Sequence, residues 1–424
     1  MKIKFENNSH FAKQLDKSDN LRIFRSKFSI PRSNGKNSTY FTGNSLGLAP
    51  KLSRRFVNQE ITDWTLKGVD GHLHALRPWL YYHKFSRKVL AEIVGAKPSE
   101  VIAMNSLTVN LHLMLVSFYR PTRERFKILI EAGAFSSDQY ALETQIKFHG
   151  FNPDDVLIEM SPREGEFLLR TEDISKAIED ADDKLALVLF GGVQYYTGQF
   201  FDIKTITEAG HKVGAYVAFD LAHAVGNVEL HLHKHNVDFA VWCSYKYLNS
   251  GPGGIAGLFV HERHFGKSDM PRFAGWWGHD EKERFQMKKG FKPLSGADGW
   301  QVSNVPILQA AAHLASLEIF EQAGMKALRK KSILLTGYLE FLLKEIDPGE
   351  NYFKIISPSS PDERGCQLSI LIKHNGKKVH NALAKKGVSV DWREPGVIRL
   401  APVPLYNTFE DVYTFASIFK RILS

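Results

Sequence analysis

The chain has 424 residues, 43% of them hydrophobic and 24% charged, and a formal net charge of +9. That length suits two or three domains, the composition is that of an ordinary soluble globular protein, and no run approaches the roughly 20 apolar residues of a membrane span. Two cysteines, Cys243 and Cys366, exclude a disulfide framework. With an N-terminus that lacks an apolar signal core, they point to a reducing, cytoplasmic compartment.

Residues 1–50 read as an arm or irregular segment packed on the main body. "NSLTVNLHLML" (105–115) opens a helix-like segment. From there apolar runs bounded by glycine alternate with helical pieces. "RFKILIEAG" (125–133), "KLALVLFGG" (184–192), "GAYVAFDLAHAVG" (214–226), "VDFAVWCSYK" (237–246) and "GGIAGLFVH" (253–261) are the strands. "FSSDQYALETQIKFHG" (135–150) and "DIKTITEAGHKVG" (202–214) are helices between them. Short continuous apolar runs are those of strands buried on both faces, so residues 51–325 are expected to form a large α/β domain with a mostly parallel central sheet. "VPILQAAAHLASLEIFEQAG" (305–324) predicts a long helix stopped by Gly324, with Leu308, Ala311, Ala312, Leu314, Ala315 and Ile319 as its core stripe. Residues 326–424 predict a smaller α+β C-terminal domain. It holds a helix over 331–346, a strand at "CQLSILIK", a helix at "GKKVHNALAKKG", strand-like "VSVDWR" and "GVIRLAP", and a closing helix.

The chemistry lies where the strands end, because ligands of open parallel sheets sit beyond the carboxyl ends of the strands. "AYVAF" ends in Asp220 with His223 three residues on, "DFAVWC" ends in Ser244, Tyr245 and Lys246, and "LALVLF" ends in Gly191 and Gly192 before Tyr195 and Tyr196. "KILIEA" leads into Phe135, Ser136, Ser137 and Asp138. A lysine and an acid on successive strands are what pyridoxal phosphate requires, the one for its Schiff base and the other for its pyridine nitrogen. Phe135 is a candidate to stack on the ring. Thr108, at a helix start where free N–H groups favour an anion, is a candidate for the phosphate. Singly, each signal is commoner as a cap, a turn or a solvated charge; their combination at one sheet edge is what points to a site.

The motifs "GNSLG", "FDLAHAVGNVEL" (219–230), "WCSYKYLN" (242–249), "ERGCQLSI" and "RLAPVPLYN" resemble those of the kynureninase family, pyridoxal-phosphate hydrolases of the fold-type-I (aspartate aminotransferase) class. The resemblance spans nearly the whole chain. It implies a cytoplasmic homodimer that cleaves kynurenine or 3-hydroxykynurenine to alanine and an anthranilate, in tryptophan catabolism and NAD biosynthesis. It also implies Lys246 as the Schiff-base lysine, Asp220 as the pyridine-nitrogen carboxylate with His223 beside it, and Phe135–Asp138 as the cover of the ring. Leu107 and Thr108 match the phosphate-end pair, Tyr245 a phosphate contact, and Tyr196 an active-site tyrosine offered as the acid–base group at the carbonyl. Trp276 and Asn304 match residues that reach the cofactor across a dimer interface. Arg399 matches the partner of the substrate α-carboxylate, a role suited to a planar guanidinium, and His72, Ser303 and Asn304 match the aryl end, with a lean toward the hydroxylated substrate. Gly191 stands where the family often carries serine, and Trp277 where a smaller aromatic is expected.

Other readings rank lower. A cysteine desulfurase needs an exposed cysteine, whereas Cys243 and Cys366 sit in apolar runs; an aminotransferase is the other enzymatic alternative. The net charge raises nucleic-acid binding, but the basic pieces "KALRKKS" (326–332) and "MKKG" (287–290) are short and no recognition element accompanies them, so no nucleic-acid or membrane partner is expected. The alternate histidines of "HLHKHN" (231–236) read as a solvated stretch with no partnering carboxylate, and no metal is expected.

Overall fold

A computed structural model describes residues 3–267 and 269–423. Seven strands build the large sheet: β1 (Val101–Ala103), β2 (Lys127–Glu131), β3 (Leu157–Met160), β4 (Leu185–Gly191), β5 (Tyr216–Asp220), β6 (Phe239–Cys243) and β7 (Ala256–Val260). Their spatial order is β1-β7-β6-β5-β4-β2-β3. Strand β7 runs antiparallel to both neighbours, and the other pairs are parallel. Parallel neighbours need a long crossover, and residues 244–255 contain no helix to make one, so the chain turns back at the end of β6.

The main helices are α1 (Ser9–Ser18), α2 (Leu107–Phe118), α3 (Ser136–Phe148), α4 (Ile307–Ala323), α5 (Met325–Ile346), α6 (Gly376–Lys385) and α7 (Phe409–Leu423). Both faces of the large sheet are covered. Leu129, Val188, Phe190, Val217 and Phe219 pack into one apolar layer, while Ile128, Ile130, Leu187, Leu189 and Ala218 pack into the other. This is the two-residue alternation of strands whose two sides are both core, and it explains why the runs read as continuously apolar.

The smaller unit carries an antiparallel sheet of β8 (Phe353–Ile355), β9 (Leu368–Ile372), β10 (Asp391–Arg393) and β11 (Val397–Leu400), ordered β8-β9-β11-β10. Helices α5, α6 and α7 close it around Leu335, Leu339, Ile370, Ile398 and Phe415.

Two expectations are corrected. The helix placed at 331–346 begins at Met325, because Gly324 with φ of 72° suffices to separate it from α4. Leu308 is 42% exposed, outside the core stripe that Ala311, Leu314, Ala315 and Ile319 do form. The first 50 residues hold the helix α1 and several two-residue strands. Helix α1 packs on α7, and Asp16 accepts the N–H groups of Phe409 at 2.7 Å and Glu410 at 2.9 Å, capping the N-terminus of α7 from a distant part of the chain. Thr39–Tyr40 pairs in parallel with Val388–Ser389. Among the described residues no helix is long and apolar enough to cross a membrane.

Asp16→Ala leaves two donors at the start of α7 without their acceptor and is expected to cost about 1 kcal/mol. A lowered urea midpoint with unchanged slope checks this; an unchanged midpoint contradicts it.

Candidate active site

The carboxyl ends of β2, β4, β5 and β6 open on one cavity, lined by Leu107, Thr108, Glu131, Phe135, Ser137, Asp138, Gly191, Val193, Tyr195, Asp220, Ala222, His223, Cys243, Tyr245 and Lys246. The lysine follows β6 and is only 9% exposed. Its Nζ lies 3.0 Å from His223 Nε2, with the Phe135 ring centroid at 5.7 Å and that of Tyr245 at 5.9 Å. Asp220, the last residue of β5, accepts the Ala222 N–H at 2.7 Å and is side chain to side chain with Asp138 on α3.

Two helices aim their first turns at the same cavity. Neither α2 nor α3 has a side-chain cap on its opening N–H groups. Thr108 and Ser137, one from each helix, meet hydroxyl to hydroxyl at 2.7 Å. Two uncapped helix N-termini and two hydroxyls side by side form a place for a multiply charged anion. The Phe135 ring packs edge-on against Tyr195, with centroids 5.5 Å apart.

Not every residue expected at the site lines this cavity. Ser136 is exposed to solvent on the first turn of α3. Tyr196 lines an adjoining cavity, and it is Tyr195 that borders both. His72, Ser303 and Asn304 are exposed, as is Trp276 at 47%. Phe285, edge-on to Trp276 with centroids 5.3 Å apart, is 61% exposed, and Phe273 and Met287 are exposed at 58% and 79%. Trp277, by contrast, is buried and donates to His83 at 3.4 Å. Arg399 is 1% exposed and borders none of these cavities, since its guanidinium is held by protein groups.

The structure adds residues that the sequence reading passed over. Glu131 ends β2, as Asp220 ends β5, and the strand-end rule applied to "KILIE" would have found it. Its Oε1 accepts the Gly191 N–H at 3.2 Å, while its buried Oε2 has no partner. A Cβ built on Gly191 would meet Oε1 at 2.9 Å, so this glycine leaves room for the carboxyl group. Cys243 is buried yet lines the cavity. The histidine stretch also has the carboxylate partner it was expected to lack. Glu100, 133 residues earlier, lies 2.9 Å from His233 Nδ1, with His261 beside them. Backbone N–H groups of Lys97 and Glu262 share that carboxylate, and His261 is tied to Arg263 N–H and His233 C=O.

Residues 328–419 match the model of a family described as the kynureninase C-terminal domain. Kynureninases of Flavobacterium psychrophilum and Flavobacterium johnsoniae are 55% and 54% identical to this chain, each over 98% of it and 98% of their own length. The kynureninase of Nematostella vectensis is 52% identical over 96% of this chain and 92% of its own. Among solved structures, a cysteine desulfurase of Thermococcus onnurineus NA1 is similar with a TM-score of 0.75 at 19% identity, covering 94% of this chain and 97% of its own. A cysteine desulfurase of Escherichia coli matches at 0.75 and 16%, covering 95% and 98%. These last two are likenesses of fold.

Three carboxyl groups and one amine share the cavity. Burial, and then the charge of Asp220, push the Asp138 carboxyl well above its ordinary range. Burial also raises Asp220, opposed by Lys246 and the Ala222 N–H. Burial and the Lys246 charge hold His223 well below the usual imidazole range, which leaves it neutral. Glu131 is pushed up from 4.5 to about 7, chiefly by burial, with Asp220 adding to it and the Gly191 N–H opposing. A carboxyl raised in the folded state favours the fold below its unfolded value, and that advantage is lost as pH rises to the folded value. Between pH 4.5 and 7 the Glu131 side chain is therefore expected to remove ~3 kcal/mol of stability, at about 1.4 kcal/mol per pH unit. Urea unfolding of the cofactor-free protein at pH 5 and pH 7.5, against Glu131→Gln, checks this. Equal pH dependence in the two proteins contradicts it.

Proposed function

The chain belongs to the kynureninase family, and on that premise we propose that it is a pyridoxal-phosphate-dependent hydrolase of kynurenine and 3-hydroxykynurenine. It cleaves the Cβ–Cγ bond of the amino acid, releasing L-alanine and anthranilate or its 3-hydroxy form. The observation that carries the reading is the pair Lys246 and Asp220, a buried amine and a buried acid on successive strands in one cavity.

The residues present fit the cofactor. Lys246 offers the amine, Asp220 the acid for the ring nitrogen, Phe135 an aromatic face, and the first turns of α2 and α3 a phosphate cradle that includes Leu107, Thr108 and Ser137. When bound, pyridoxal phosphate supplies a protonated conjugated ring that accepts the electron pair of a broken bond. Asp138, its carboxyl pushed up by burial and by the Asp220 charge, stands beside Asp220 in the same cavity. Lys246 moves the proton at the α-carbon of the amino acid, and neutral His223 at 3.0 Å takes part in a hydrogen bond with Nζ rather than repelling it. Arg399 receives the α-carboxylate. A water molecule adds to the γ-carbonyl, and Tyr196 on the adjoining wall serves there as the acid–base group, its phenol kept protonated by burial.

His72, Trp276, Ser303 and Asn304 take their roles from the opposite subunit of a homodimer. Their exposure in the single chain, with the large apolar side chain of Phe285 exposed against Trp276, supports this. Compartment and pathway follow the family: a cytoplasmic enzyme of tryptophan catabolism and NAD biosynthesis.

Lys246→Ala is expected to abolish release of anthranilate and 3-hydroxyanthranilate, followed by their fluorescence; retained release contradicts the assignment. Mixing Lys246→Ala with Trp276→Ala subunits is expected to restore part of the turnover that each lacks alone, because a mixed dimer contains one site with both native residues. No recovery on subunit exchange contradicts the shared site.

A further inference from the structure

The Arg399 guanidinium is already occupied. Its Nη1 donates to the Tyr195 carbonyl at 2.7 Å. Its Nη2 donates to Ser45 Oγ at 3.2 Å and is paired with Asp391 Oδ2, the residue directly opposite on the neighbouring strand β10. Only Nε is buried without a partner. A carboxylate that grips an arginine in bidentate fashion needs two parallel N–H groups. On this guanidinium it has to take Nη2, and so has to replace Asp391.

Asp391 has somewhere to go. Its Oδ2 is also approached by Arg393 Nη2 at 3.4 Å, and the buried Nε of Arg393 has no partner either. Arg393 is two residues along β10, and its side chain is 39% exposed. One carboxylate oxygen thus stands between two guanidinium groups, each with a donor to spare. Ser45 donates to that oxygen as well. Burial raises the Asp391 carboxyl, but Arg399, Ser45 and Arg393 more than offset it, and it stays ionised.

We propose that Asp391 is a specificity-determining residue of the carboxylate subsite: it occupies Arg399 until the α-carboxylate of the incoming amino acid takes Nη2 and Nε, and it then pairs with Arg393. This deepens the reading of Arg399 as the α-carboxylate partner and rests on it. The exchange swaps one carboxylate for another, so the buried charge around Arg399 is the same before and after. A ligand with an amine but no carboxylate cannot drive it. Selectivity for α-amino acids then comes from a contact that must be displaced as well as from one that is gained.

The test is a titration of the cofactor-loaded enzyme with L-alanine and with ethylamine, its analogue without the carboxylate, read by the change in cofactor absorbance. Asp391→Asn removes the competing charge and is expected to tighten L-alanine binding about tenfold, because the competent fraction of Arg399 rises. Arg393→Gln removes the fallback partner and is expected to weaken L-alanine several-fold. Ethylamine binding is expected to move in neither variant. Unchanged or weaker L-alanine binding in Asp391→Asn overturns the proposal, as does unchanged or tighter binding in Arg393→Gln. Should Asp391→Asn fail to fold, Arg393→Gln, altered at a partly exposed side chain, decides alone. Arg399→Ala that binds L-alanine as well as the wild type overturns the parent reading of Arg399; loss of binding there, with no gain in Asp391→Asn, overturns only the role of Asp391.

Discussion

The site depends on keeping one amine and several acids out of water together. A buried charge is costly unless it is paired and hydrogen-bonded, and this cavity holds Lys246, Asp220, Asp138 and Glu131 at low exposure. Burial answers by moving the acids and the imidazole toward their neutral forms. It pushes Asp138 well above its ordinary range and Glu131 up to about 7, and it holds His223 well below its own beside the lysine. The cavity therefore reaches the cofactor with its acid and its amine in place, and little reorganisation of charge is left for the reaction.

The sheet makes this arrangement possible. Strands β2, β4 and β5 run parallel in adjacent positions, so Glu131, Gly191 and Asp220 reach the same edge. Gly191, paired in register with Asp220, leaves room where a side chain would press on Glu131. Beyond the sheet, Arg399 on β11 ties three regions together. Asp391 comes from the small sheet, Tyr195 from the loop after β4, and Ser45 from the segment before the large domain. The first 50 residues are thereby part of the site's frame, held in turn by Asp16 at the start of α7.

Much of this was legible in the sequence for identifiable reasons. Strands buried on both faces write themselves as apolar runs, and β2, β4, β5, β6 and β7 were all found. Strands β1 and β3 are only three and four residues long, and β3 is partly exposed, so neither carries that signal. Asp220, Lys246, Phe135 and Thr108 were legible because a strand end or a helix start announces them. Glu131 obeys the same rule, but the small residues Ala132 to Ala134 that follow it blur the end of the strand. Which of Tyr195 and Tyr196 borders the cavity depends on the direction of a turn, and the pairing of Glu100 with His233 on the fold as a whole. His72, Trp276 and Asn304 are exposed and line neither cavity, and exposure is not something that a pattern within one chain announces.

In the proposed function Lys246 is the residue that takes the cofactor covalently. Borohydride reduction of the pyridoxal-phosphate-loaded protein, followed by mass spectrometry of its peptides, tests this most directly. The reduced cofactor is expected on the peptide containing Lys246 and on no other. An unlabelled Lys246 peptide, or a label fixed to a different lysine, would contradict it.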